Sequence, residues 1–226
     1  MTNLADLLPA KRSGEATRKR ILDAAEHEFA AKGFDGARLA AIARAADAPQ
    51  ALIHHHFADK AGLYQAVIDR ALSAIAAVGW RILDAMAPPP RRVRGKRFEK
   101  AELERLVDAL AGMLVHFYAT NARVLRILRH EAMRGGALAE DLIRAHVKPQ
   151  LDDVVARFDA MRARGEVRAD VDARQLCMSA IAMACFPYTE EAFLSALWSV
   201  DPQSPAFIEE RTREIASTIM ARIAPT

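Results

Sequence analysis

Hydrophobic and polar positions follow the helical period along nearly the whole chain. Leu39, Ile42, Ala43 and Ala46 recur at intervals of three and four, which gives one apolar face to a helix of about two turns. Asp47 and Ala48 interrupt that run, and Pro49 opens a second one carrying Leu52, Ile53, His56 and Phe57. Proline cannot continue a helix but suits the first turn of a new one. Two short helices joined by a tight turn predict a helix-turn-helix, whose second helix enters the major groove of DNA. Leu52, Ile53 and Phe57 then pack inward, and Gln50, Ala51, His54 and His55 meet base edges and phosphates. The same pattern fits a helical hairpin in any all-α protein, so the flanking sequence decides.

Before this unit, residues 1–13 show no long periodicity and are expected to form a loose arm. Ile21, Leu22, Ala25 and Phe29 then predict a first helix from about Gly14 to Lys32, stopped by Gly33. Arg18, Lys19 and Arg20 sit in its opening turns, where a DNA backbone contact and plain solvated charge are both open readings. After it, Asp59 is an N-cap ahead of a long helix with Leu63, Val67, Ala71, Ile75 and Val78 inward, running to about Met86. Lys60, at its start, is placed to meet a phosphate. The three prolines and five basic residues of Pro88–Phe98 predict a loop with solvated charge.

The helical period returns with Leu103, Leu106, Leu110, Met113, Leu114 and Phe117, followed by a helix at about 122–133 ended by Gly135 and Gly136. Residues from Leu138 to about Arg164 predict a long helix, kinked or broken near Val147 by Pro149. Asp172 caps a helix expected to end at Phe186 and Pro187, with small residues such as Ala180 and Ala184 allowing close helix approach. Ile208, Ile215, Ile219 and Ile223 make an apolar stripe on a last helix at about 206–223, a stripe that needs a partner surface.

Composition sharpens this picture in few places. The 226 residues are 52% hydrophobic with only 10 glycines, enough for a large core and favourable to helix, so the fold class is all-α. The net charge of +3 is compatible with nucleic-acid binding and is weak evidence for it. No uncharged apolar run is long enough for a membrane span and no signal peptide is visible, which predicts a cytoplasmic protein without membrane partners. Cys177 and Cys185 read as buried free thiols, with a redox sensor as the alternative. His54, His55 and His56 point about 100° apart on a helix and cannot converge on one ion, so no metal or other cofactor is expected. No phosphate loop, nucleophile elbow or His-Glu-x-x-His occurs, which argues against an enzyme.

The segments T-R-K-R-I-L-D-A-A-E-H-E-F-A-A-K-G-F-D-G-A, I-A-R-A-A and H-H-F-A-D-K-A-G-L-Y, spanning about residues 17–64 without gaps, resemble the N-terminal domain of the TetR family of bacterial transcriptional regulators. The resemblance implies a homodimer with a three-helix DNA-binding domain (1–60) and a helical ligand-binding and dimerisation domain (61–226). It also implies repression of a palindromic operator, relieved by a small molecule. It places Thr17 and Arg18 at the DNA backbone, Gln50 to His56 on the recognition helix, and Lys60 on a phosphate. Four positions depart from the pattern: Arg38, Asp47 and Pro49 replace the usual cap or turn residues, and His54 stands where Tyr is usual. Asp tolerates left-handed turn geometry, and Arg38 could itself bind a phosphate.

The resemblance also pairs the helices at about 173–186 and 206–223 with their copies, through Ala180, Ala184, Ile208, Ile215 and Ile219. Burial within one subunit is the other reading of that stripe. For an apolar or amphipathic effector, the expected pocket residues are Trp80, Met86, Leu110, Met113, Phe117, Met178 and Met183, because methionine and aromatic side chains adapt to varied ligands.

Overall fold

The computed structural model describes residues 8–86 and 98–225. Most of the proline-rich basic loop and the first part of the expected arm lie outside the described residues. Among those described, the chain forms eleven helices and no strand: α1 Leu8–Gly36, α2 Leu39–Ala45, α3 Gln50–Phe57, α4 Lys60–Met86, α5 Lys100–Thr120, α6 Ala122–Met133, α7 Ala137–His146, α8 Lys148–Ala163, α9 Ala173–Thr189, α10 Glu191–Trp198 and α11 Pro205–Ile223. Residues 8–13 therefore belong to α1 and not to an arm. Gly33, at φ 66°, breaks the helical backbone where the sequence placed the stop.

The described residues form two compact units, 8–72 with 126–142, and 73–86 with 98–125 and 143–225. The boundary expected at 60/61 lies twelve residues, about three helical turns, before this division at 72/73, because α4 buries Leu63, Tyr64, Val67 and Ile68 in the first unit. The other surprise is that residues 126–142 join that unit.

The first unit is built on Ile21, Leu22, Ala25 and Phe29 of α1, Ile42, Ile53 and the start of α4, with Ile127 of α6 also fully buried. The Tyr64 ring meets Phe29 edge-on at 4.8 Å and Phe34 at 5.0 Å, and the Arg134 guanidinium lies 4.4 Å from the Phe34 centroid. Buried Glu131 pairs with Arg134 at 3.7 Å. Arg70 ties α4 to α1 through Asp23 and Glu26, both at 2.7 Å, and the Leu22 carbonyl at 3.1 Å. His130 and Glu131 are structural here, since the His130 ring packs at Gly33.

The second unit wraps α5 with α9 and α11. Its core holds Leu103, Val107, Ala111, Val115 and Phe117 of α5, Ala184 and Tyr188 of α9, and Ile215, Ala216, Ile219 and Ile223 of α11. Pro149 begins α8, so the long helix expected from Leu138 breaks between His146 and Lys148. Asp172 caps α9 as expected, accepting N–H bonds from Arg174 at 2.8 Å and Gln175 at 3.0 Å. Pro187 does not end α9, which runs on to Thr189. A proline there removes the N–H that would bond the Met183 carbonyl one turn earlier. Arg211 of α11 supplies the donors, Nη2 at 2.7 Å and Nε at 3.1 Å.

Candidate nucleic-acid interface and effector cavity

α2 and α3 form the expected helix-turn-helix. The turn between them places Asp47 at φ 47°, the left-handed geometry usually given to glycine, and closes with the Ala48 N–H on the Ala43 carbonyl at 3.0 Å. Arg38 precedes α2 without a side-chain cap, and its N–H donates to Glu28 Oε1 at 3.3 Å. Lys32 first, and that N–H after it, hold the Glu28 carboxyl below its usual range. Arg20 donates from Nε to the Ala46 carbonyl at 3.1 Å, which caps the end of α2 and gives this arginine a structural task.

On α3, Ile53 and Phe57 are buried and Leu52 half-buried, while Gln50, Ala51, His54 and His55 are exposed on one side. His54 Nδ1–H donates to the Ala58 carbonyl at 2.9 Å, which leaves the other ring nitrogen free of that contact. His56 is half-buried, and desolvation with nearby His55 and Arg18 lowers its pKa. Arg38 is exposed, and Arg18 lies over the Phe57 ring at 5.1 Å. Lys60 lies 4.9 Å from the Phe34 ring and donates to the Asp35 carbonyl at 3.3 Å, a tether weak enough for a phosphate to replace. Thr17, by contrast, is only 9% exposed and receives a 3.5 Å bond from Arg20, so little of it is open to a DNA backbone.

The second unit holds a partly open cavity of about 200 Å³, lined from α4, α5, α8, α9 and α11. Of the expected pocket residues, Met86, Leu110 and Phe117 line it. Trp80 and Met178 point outward, 52% and 55% exposed. Met113 and Met183 are half-buried away from the cavity. Their type suggested an adaptable lining, but only the helical face decides which side they occupy. Sequence reasoning missed the wall made by Val147 and, on α8, by Gln150, Leu151, Val154, Phe158 and Met161, because this stripe reads as ordinary core. Cys177 also lines the cavity, and burial pushes both thiols up, which leaves them weak nucleophiles.

The residues expected to face a second copy are Ala180, Ala184, Ile208, Ile215 and Ile219. Ala184, Ile215 and Ile219 are buried inside their own subunit, and Ala180 and Ile208 are half-buried against the same core. The α11 stripe found its partner in α5 and α9 of the same chain. The exposed large apolar side chains among the described residues are others: Trp80, Met133, Ile143 and Leu151, and, at the end of the chain path, Met178 and Phe186 of α9 with Phe193, Leu197 and Trp198 of α10.

No helix among the described residues is long and apolar enough to cross a membrane. The family model described as "Bacterial regulatory proteins, tetR family" matches residues 21–67, and "Tetracyclin repressor-like, C-terminal domain" matches residues 103–219. The HTH-type transcriptional repressor SCO4008 of Streptomyces coelicolor is 29% identical over 175 residues, 77% of this chain and 80% of that protein. The HTH-type transcriptional regulator BetI of Paraburkholderia phymatum is 25% identical over 165 residues, 69% and 84% of the two chains. In fold, a TetR transcriptional regulator from Chloroflexus aurantiacus superimposes with a TM-score of 0.66 at 20% identity, covering 95% of this chain and all of that one (100%). Helix-turn-helix, helical second unit and both matched models agree: the chain belongs to the TetR family of DNA-binding transcriptional regulators.

Proposed function

We propose that this regulator is a dimeric repressor that holds a palindromic operator through α3 and releases it when a small apolar or amphipathic molecule fills the cavity. The observation that carries the reading is α4: it starts at Lys60, beside the recognition helix, and supplies Ile75, Gly79, Ile82 and Met86 to the cavity wall. Gln50, Ala51, His54 and His55 read bases, while Arg18, Arg38 and Lys60, with a lesser part for Thr17, hold phosphates. The second copy covers the exposed face of Met178, Phe186, Phe193, Leu197 and Trp198, since a patch of large apolar side chains marks an interface. Two half-sites are needed because one short helix reads few bases, and twofold symmetry then makes the operator palindromic.

The test is a footprint and binding titration on the DNA around the gene itself, with competitor DNA and varied salt. Lys60→Ala is expected to weaken every sequence alike and reduce the salt slope by about one unit for each phosphate no longer neutralised. His54→Ala or Gln50→Ala is expected to change base preference instead. An unchanged affinity and slope in Lys60→Ala would remove that lysine from the interface.

A further inference from the structure

The cavity wall is almost wholly apolar. Among the described residues lining it none is charged, and the polar ones are Gln150, Tyr118 and Cys177. Gln150 is only 6% exposed, and its carbonyl oxygen Oε1 is fully buried with no hydrogen-bond partner. A buried amide oxygen left unpaired is destabilising, and the great majority of such atoms in folded proteins are satisfied. A Cβ placed on Gly79 of α4 would lie 2.8 Å from Gln150 Cβ, so α4 and α8 touch there with no spare room.

We infer that the effector is an uncharged, compact, largely apolar molecule bearing one hydroxyl, and that this hydroxyl donates to Gln150 Oε1 once the carboxamide turns about its soft terminal torsion to face the ligand. The inference rests on the cavity being an effector site, as proposed above. Three observations set the class. A hydroxyl donates to the amide oxygen and can accept from the amide nitrogen, so it suits either orientation of the carboxamide, whereas a ketone or ether leaves Oε1 unpaired. A carboxylate, phosphate or ammonium would be desolvated against a wall that offers no counter-charge, a penalty nothing there repays. The volume of about 200 Å³ exceeds the ~150 Å³ of an apolar cavity known to accept benzene, so one fused ring system or its equivalent fits.

Three naphthalene probes separate the possibilities: 2-naphthol, 2-methylnaphthalene with a methyl in place of the hydroxyl, and anionic 2-naphthoate. Each is titrated by ligand fluorescence against the full-length protein, Gln150→Leu and Gln150→Met, with circular dichroism melting to confirm that both variants fold. Wild type should bind 2-naphthol about tenfold more tightly than 2-methylnaphthalene, a gap the orphan oxygen creates. Both variants should bind the two neutral probes equally, with 2-methylnaphthalene no weaker than in wild type, and melt above the ligand-free wild type. Equal binding of the neutral probes to wild type would mean that water already serves Oε1, and would overturn the inference while leaving the cavity reading intact. A hydroxyl preference surviving in both variants would overturn the role of Gln150, and tight binding of 2-naphthoate would overturn the uncharged class. Failure of all three probes to bind wild type would defeat the inference and the cavity reading together.

Discussion

At the scale of single residues, the junction after the recognition helix carries the most local strain. Ala58 sits at φ 63° and ψ −62°, and the Asp59 N–H reaches back to the Phe57 carbonyl at 2.8 Å, a γ-turn that is rare outside glycine. His54 and the Asp59 cap on the Gly62 N–H, at 2.8 Å, hold it in place. Gly62 has no alternative: a Cβ there would lie 2.2 Å from the Phe57 carbonyl oxygen. Gly62→Ala is expected to destabilise the first unit by on the order of 1–3 kcal/mol, whereas Ala58→Gly relieves a positive φ and leaves Tm unchanged or higher. Thermal melts of the two variants check the contrast, and equal losses would put the strain elsewhere. In the second unit, Arg168 beside Asp170, helped by Arg222, holds that carboxyl at about 2. An unfolded aspartate titrates near ~3.9, so the folded form binds its proton less readily. This contribution is present above that value and is lost as pH falls towards 2; Asp170→Asn should flatten the acid limb of a Tm against pH curve over that window. None of this geometry was legible in the sequence, except the Asp59 and Asp172 caps, whose position before an apolar run announces them.

At the scale of helices, periodicity gave the boundaries well and the partners poorly. The stop at Gly33, the break at Pro149 and the start of α4 follow from residues whose backbone chemistry is local. Which neighbour covers an apolar stripe is not local, and the α11 isoleucines show it: they were equally suited to a second subunit and to α5 of their own. The α10 helix escapes a reading by periodicity because its apolar residues, Phe193, Leu197 and Trp198, face outward. Two charge substitutions separate the assignments. Ile215→Asp buries an unpaired carboxylate in the core, costing several kcal/mol, and is expected to unfold the second unit rather than dissociate it. Leu197→Asp, on an exposed position, should leave the helical signal intact and shift sedimentation from dimer to monomer. A dimer persisting in Leu197→Asp combined with Phe186→Asp would move the interface off this face. Arg211 adds a third case, because it repairs what Pro187 removes. Arg211→Ala strands the Met183 carbonyl and should lower stability by ~1–3 kcal/mol, measured by urea denaturation.

For the whole molecule, the chain path matters more than any one contact. α4, α6 and α7 each have residues in both units, so the chain passes between the units through three helices and not by a single linker. A continuous helix resists bending through its own hydrogen bonds, which is how a change at Ile75, Gly79 or Met86 would be carried towards Lys60. An effector can only shift an equilibrium by its differential affinity for the two states. A preference of roughly 100-fold for the operator-free state amounts to about 2.7 kcal/mol, enough to empty an operator that is only marginally occupied. Filling the cavity should therefore uncouple the two activities. Leu110 lines the cavity from α5, and Leu110→Trp puts an indole into the space an effector would take. The variant is expected to keep its salt-dependent operator affinity and to lose effector-induced release, read by fluorescence anisotropy on labelled operator with and without ligand. If Leu110→Trp itself released the operator, the tryptophan would be acting as a built-in effector, and the cavity would still be the switch. Full release by ligand in a variant whose cavity is filled would place the switch outside it, and the apolar space would then be a packing defect of the core.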